Sequence, residues 1–219
     1  MRVGIVCEGP TDYVVLRAVC RAALSGGGHS FALLQPSFDM LEQRDPRAKG
    51  PGWQGVRAFL QQTEATLDAS LQDLLIVHLD ADIRLLPEVT KQLGPGDTDD
   101  ELSPLCDHIK SWIPGPVPEK LVIVIPREAT EAWLVAAHTN RHGVEAIARP
   151  VDALRDAGLV GGPPGKPEKR SPVYEQLAVG LTALLRNKHR MADVPELGRF
   201  LGKLHARARA TQKKTPATS

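Results

Sequence analysis

The sequence predicts an α/β fold: a mainly parallel sheet flanked by helices, followed by a helical C-terminal extension. Three observations carry this. The runs Arg2–Cys7, Leu74–Leu79 and Leu121–Ile125 are almost continuously apolar, as strands buried on both faces must be. Each is followed by a stretch with helical spacing, and strands alternating with helices argue for parallel pairing. After Pro150 the strand-like runs stop and only short helical patterns follow.

The elements follow in order. RVGIVC reads as a strand stopped at Glu8-Gly9-Pro10, since glycine and proline punctuate regular structure. Beyond it, Tyr13, Val14, Leu16, Val19, Cys20 and Ala23 suit one face of a helix with Thr11 as its N-cap. The triple glycine at 26–28 ends that helix. His29–Leu34 is expected to be a second strand, Pro36–Gly52 a long loop and Val56–Leu71 a helix. Leu74–Leu79 is the strongest strand pattern and ends on Asp80-Ala81-Asp82. A short helix over Arg84–Leu93, a loop over Gly94–Asp100 and a helix over Glu101–Trp112 lead to the last strand, which Pro126 ends. Glu128–His138 then reads as helical. The α/β part is expected over residues 1–150. A helical extension over 151–211 contains Val151–Ala157, Val173–Leu185 and Pro195–Ala208, with a Gly/Pro/Lys-rich loop at Gly161–Pro172. Residues 212–219 read as a disordered tail.

Bulk properties exclude some classes. The net charge is +1, so any basic surface must be local. The three cysteines, Cys7, Cys20 and Cys106, lack a CxxC spacing, which argues against a zinc site or a disulfide framework. No apolar run approaches the ~20 residues that span a bilayer, and the N-terminus enters a strand directly, unlike a signal peptide. No membrane association and a reducing cytoplasmic setting are expected.

The chemistry is carried by acids with one structural address. Glu8, the pair Asp80 and Asp82, and Glu128 each follow a predicted strand. Ligand sites in open parallel sheets form beyond the carboxyl ends of the strands. Clustered carboxylates repel unless a cation compensates them, and oxygen-only clusters suit hard ions such as Mg²⁺ or Mn²⁺. Asp80 and Asp82 are two apart, so in an extended chain both point the same way. Read alone, these acids also fit plainer roles. Glu8 and Asp12 suit a helix start, and Asp80 and Asp82 suit a turn. His78 shares the side of Asp80, although a strand histidine is more often simply buried and hydrogen-bonded. His138 and His142 are four apart without an HExxH pattern. Trp53, Trp112 and Trp133 are expected to be packing residues. Arg44, Arg47, Lys49 and Arg57 surround the Gly/Pro-rich loop and suit either phosphate contact or a solvated loop. Arg207, Arg209, Lys213 and Lys214 make a basic end that attracts polyanions.

Cys7-Glu8-Gly9-Pro10-Thr11-Asp12 resembles the first motif of Toprim domains, and Leu79-Asp80-Ala81-Asp82 resembles the second, the DxD motif. The stretch Pro126-Arg127-Glu128-Ala129-Thr130-Glu131-Ala132-Trp133-Leu134, the element Lys166-Pro167-Glu168-Lys169 and the segment Val194–Leu204 are similar to small stand-alone Toprim proteins. These are related to the nuclease half of overcoming-lysogenization-defect proteins. The resemblance implies a Toprim-like fold and Mg²⁺- or Mn²⁺-dependent phosphodiester hydrolysis in DNA or RNA. It implies Glu8 as general base or metal ligand, Asp80 and Asp82 as metal ligands, and Asp12 as a second acid of the first motif. Glu128 or Glu131 completes a second metal position, with Glu128 preferred because Glu131 adjoins the apolar Trp133 and Leu134. Lys166 or Lys169 neutralises charge on the scissile phosphate, and Lys49, Arg127 and Lys169 are substrate-binding candidates. The implied partners are nucleic acid, an ATPase encoded nearby and a second copy of the chain, in a phage-defence setting. The chain departs from the topoisomerase branch, having only Tyr13 and Tyr174 and no tyrosine domain.

Overall fold

The computed structural model describes residues 1–24, 26–36, 52–62, 71–85, 87–93 and 103–214. Within these, four strands form one all-parallel sheet: β1 (Arg2–Val6), β2 (Ser30–Gln35), β3 (Leu74–His78) and β4 (Leu121–Val124), in the order β2-β1-β3-β4. The expected α/β class is therefore present.

The near-continuous apolar runs have the expected cause. Val3, Ile5, Leu74, Ile76, Val122 and Val124 enter one core, and Val6, Leu75, Val77, Leu121 and Ile123 enter a second core on the opposite face. Side chains alternate across a strand, so a sheet covered on both faces needs apolar residues at every position.

Connection geometry follows from chain handedness. Helix α1 (Pro10–Ala23) links β1 to β2 and packs in the first core. Helices α2 (Trp53–Leu60), α3 (Pro87–Leu93) and α4 (Ser103–Lys110) contribute Val56, Leu60, Val89, Leu105 and Ile109 to the second. The β1–β2 connection moves one way across the sheet and the β3–β4 connection the other. Right-handed crossovers then place their helices on opposite faces, and the carboxyl ends of β1 and β3 become the point where the chain diverges.

After β4 the chain returns to the first face. Helix α5 (Glu131–His138) is followed by α6 (Pro150–Asp156), α7 (Ser171–Ala178), α8 (Leu181–Arg186), α9 (Lys188–Met191) and α10 (Pro195–Lys214). Leu154, Tyr174, Leu181, Leu197, Phe200 and Leu204 share one core with the sheet and α1. The Trp133 and Phe200 rings stack at 6.3 Å between centroids.

Several boundaries differ from expectation. Thr11 lies inside α1, whose N-cap is Gly9 with proline in the first turn. Proline needs no donor there. The helix expected over Val56–Leu71 begins at Trp53 and ends at Leu60, and residues 63–70 lie outside the described set. Arg84–Leu93 is a 3-10 turn, Ala81–Leu85, and then α3. The single helix expected over Val173–Leu185 is two, meeting near Gly180, where an added Cβ would stand 2.6 Å from His138 Nε2. Helix α10 includes 212–214, expected to be tail, whereas 215–219 lie outside the described residues, as do most of the loop at 36–52 and the loop at 94–100.

One buried acid ties α5 to α10. Glu145 is 4% exposed. Its carboxylate accepts from Trp133 Nε1 at 2.9 Å, from the Glu196 amide at 2.9 Å and from the Leu197 amide at 3.3 Å. The amides are otherwise unsatisfied donors of the first turn of α10. Glu145→Ala is expected to lower stability by about 3 kcal/mol, the scale of stranding buried donors of a charged acceptor. Urea unfolding should show a lower midpoint with an unchanged m-value.

Candidate functional site

The parallel register pairs Val6 with Val77, so the residues just past β1 and β3 leave the sheet side by side. The Asp80 amide donates to Glu8 Oε1 at 2.8 Å, joining the two strand ends. His78 is fully buried, and its Nε2 lies 3.2 Å from Asp80 Oδ1, on the same side of the extended chain because the two are two residues apart. The contact is close but not aligned as a hydrogen bond, and among the described residues neither Asp80 Oδ1 nor either His78 nitrogen has an aligned partner.

Two helix starts bring further acids. Asp12 sits in the first turn of α1 and is 6% exposed. Thr130, the N-cap of α5, makes no capping bond with its side chain. Its hydroxyl instead donates to Asp12 Oδ1 at 2.8 Å. Glu131 opens α5 and is 1% exposed. Its Oε1 accepts from the Tyr174 hydroxyl at 2.8 Å and meets Lys169 Nζ at 2.7 Å, while its Oε2 has no hydrogen-bond partner among the described residues. Both acids lie at positive helix ends, where negative charge is favoured.

The electrostatics bind these groups into one cluster. Burial raises the pKa of Asp12; Glu131 adds to the rise, while His78, the Thr130 bond and Lys169 oppose it. Burial also holds the Asp80 carboxyl well above the usual range; His78 opposes this and Asp12 and Glu8 add to it. For His78, burial lowers the pKa, but Asp12, Asp80 and Glu8 outweigh it and raise the imidazole to about 9. Lys169 behaves likewise: burial opposes its charge, and Glu131, Asp12 and Asp80 restore it. Among the described residues, His78 and Lys169 are cations that act on Glu8, Asp12, Asp80 and Glu131 in this way. Such an excess of acid is relieved by bound protons or by a cation.

The sequence-derived candidates divide clearly. Glu8, Asp12, Asp80, Glu131 and Lys169 are brought together. Asp82 lies in the 3-10 turn after β3, and its side chain is outside the described set. Glu128, preferred from sequence over Glu131, is half-buried in the turn before α5; Glu131 is the acid that acts on Asp12. Lys166 is exposed, whereas Lys169 reaches Glu131. Arg127 stands near Glu196 at the start of α10. Lys49, Arg44 and Arg47 lie outside the described residues. The histidines set aside have other uses: His138 Nε2 is 2.6 Å from the Leu177 carbonyl, and His142 pairs with Asp193. Sequence reasoning missed Thr130 and Tyr174.

As donors for a divalent ion the residues present have fitting chemistry: carboxylate oxygens, some buried and without an aligned hydrogen-bond partner among the described residues, suit Mg²⁺ or Mn²⁺. Among the described residues no group of three or more His, Cys, Asp or Glu side chains stands ready to hold a metal ion. Neither protein-family models, nor curated proteins, nor solved structures give a match to the chain. No helix among the described residues is long and apolar enough to cross a membrane.

Two expectations follow. In the unfolded chain His78 titrates near ~6.5, and in the fold at about 9. The stability it contributes is fully present below about pH 6.5 and is lost as the pH rises through about 9. The raised Asp80 and Asp12 carboxyls act in the same direction, because the native state holds protons that the unfolded chain has released. The melting temperature is expected to fall by roughly 5 °C or more between about pH 6 and 9. Millimolar Mn²⁺ should restore it at the alkaline end, because metal displaces protons from its ligands. A flat profile, unaltered by Mn²⁺, would contradict this account of the cluster.

The second concerns the loop that delivers Lys169. Gly162 has φ +102°, and a Cβ there would lie 2.5 Å from the Lys166 carbonyl oxygen, whereas Gly165, at φ +75°, has open space. Gly165→Ala should cost about 1 kcal/mol, the left-handed penalty alone. Gly162→Ala should cost at least about twice that, with the loop backbone displaced. Chemical denaturation of the two variants side by side checks the ranking.

Proposed function

We propose that the chain is a metal-dependent phosphodiesterase acting on nucleic acid, working as a Toprim-type nuclease. The observation that carries this reading is the carboxylate cluster at the diverging ends of β1 and β3, where, among the described residues, Glu131 Oε2 has no hydrogen-bond partner and Asp80 Oδ1 has only the unaligned His78 Nε2 at 3.2 Å. Glu8, Asp80 and Asp82 would hold a divalent ion, with Glu131 as the further acid. A bound ion there supplies charge stabilisation for the phosphoryl oxygens and a lowered water pKa. The chain's own residues do the rest. Asp12, kept in place by Thr130 and protonated more readily than a surface aspartate, is placed to exchange a proton at its carboxyl. Lys169, charged and half-exposed, neutralises developing negative charge once Glu131 releases it.

A second reading is favoured by one contact. Lys169 is occupied by Glu131, so the resting cluster carries its own counter-charge. A partner such as an ATPase that moves the 161–170 loop would free both groups, and the isolated chain would then be inactive.

The test is incubation of purified protein with plasmid, single-stranded DNA and structured RNA in Mg²⁺, Mn²⁺ or chelator. The Asp80→Ala, Asp82→Ala double variant is run alongside. Cleavage that needs metal and drops at least about 100-fold in the variant is expected, since even residues behind metal ligands cost that much. Metal binding without cleavage would move the reading to the partner-dependent effector. Absence of metal binding would remove the hydrolytic reading altogether.

A further inference from the structure

The chain's near-neutral charge conceals a polarised helix. Over residues 195–214 the sequence carries Arg199, Lys203, Arg207, Arg209, Lys213 and Lys214 against a single acid, Glu196. Leu197, Phe200, Leu204 and Ala208 form the buried face of α10. Arg199, Lys203 and Arg207 recur every four residues on an outer face and are exposed. Successive members stand about 6 Å apart along the axis.

Neighbouring elements extend this stripe. Arg199 pairs with Glu196, and Lys203 and Arg127 also act on that carboxyl. Arg127 follows β4, at the sheet end that carries the acidic cluster. On the flank, Lys203 and Lys110 of α4 both act on the Cys106 thiol, against the burial that raises it, with Lys110 paired to Asp107 at 2.6 Å. Among the described residues, Lys203 and Arg207 have no carboxylate at ion-pairing distance. The positive tract therefore runs from the mouth of the sheet down the length of α10.

We propose that this tract docks the sugar–phosphate backbone of double-stranded nucleic acid and leads it toward the carboxylate cluster, a proposal that rests on the hydrolytic reading for its purpose but not for its test. Charge complementarity selects a polyanion, since regularly spaced cations neutralise successive phosphates. The form of the face selects a duplex. Gly202, Ala206 and Ala210 lie between the cations, so a broad surface can approach closely. Single-strand binders interleave aromatic rings for base stacking, and the only aromatic on α10 apart from the histidine is the buried Phe200.

The experiment measures anisotropy of a labelled mixed-sequence duplex of about 20 base pairs against the full chain, in chelator so that no cleavage occurs, over a range of salt. Affinity should fall steeply with salt. K203E/R207E should weaken binding at least about tenfold and reduce the log–log salt slope by about 2. The charge-matched R186E/K188E, placed on α8 and α9, should stay within about twofold of the parent. Circular dichroism of both variants confirms folding, and all four positions are exposed. Absence of duplex binding, equal loss in both variants, or tighter binding of the corresponding single strand overturns the proposal. Duplex binding through the stripe by a chain that neither binds metal nor cleaves would remove the hydrolytic reading and leave the docking tract standing. Cleavage that ignores K203E/R207E would do the reverse.

Discussion

The parallel pairing of β1 with β3 is the constraint on which the rest depends. It aligns two strands whose connections leave in opposite directions, so their carboxyl ends open into space that no crossover fills. Glu8 and Asp80 are the residues the chain places there, and the bond from the Asp80 amide to Glu8 Oε1 closes the gap between them. Asp12 on α1, Glu131 on α5 and Tyr174 on α7 arrive by helix, and Lys169 by the loop before α7. The sheet supplies position, and the helix starts supply positive potential that makes so many acids tolerable in one place.

That tolerance is incomplete, and the shortfall is chemically informative. Desolvation dominates at Asp12 and Asp80, and the nearby cations only partly offset it. A protein selecting purely for stability would replace such acids with apolar side chains of similar size. Retaining them, with His78 buried beside Asp80 as an internal counter-charge, leaves a site that holds protons and that, under the proposed function, would take a divalent ion in their place. Protons and metal would then compete for the same oxygens, so metal affinity in such a site would rise with pH.

Much of the architecture was legible because it rests on local signals. Two-sided burial writes itself into sequence as unbroken apolar runs, and the strand ends were readable from Glu8-Gly9-Pro10, Asp80-Ala81-Asp82 and Pro126. Helix boundaries were less so. The segment after β4 was expected to become helical at Glu128, yet it first makes a turn, with Ala132 and Trp133 bonding back to Ala129 and Thr130. That turn decides which glutamate enters the cluster. The apolar neighbours Trp133 and Leu134, which argued against Glu131, are the reason it is buried: they draw the first turn of α5 into the core and carry the acid with them. Thr130 and Tyr174 were not legible at all. A threonine before a helix reads as a cap, and only the tertiary fold shows its hydroxyl turned to Asp12 instead.

The residues after Pro150 belong to the same argument. Tyr174 and Lys169 both grip Glu131 Oε1, so the charge state of the cluster is set in part by a loop and helix far along the chain. Gly162 lets that loop fold back on itself, its φ of +102° and the tight approach of the Lys166 carbonyl allowing no side chain. Leu177, Leu181 and Leu204 meanwhile pack into the same core as α1 and β3. The C-terminal segment thus does two things at once: its helices complete the hydrophobic cover over one face of the sheet, and its loop holds the Lys169 ammonium that balances the buried glutamate. Displacing the loop would expose that glutamate as an uncompensated charge, so any event that draws Lys169 away also raises the cluster's appetite for a cation. An anion that competed for the same ammonium would be an event of this kind, and binding of anion and binding of cation would then favour each other through Glu131.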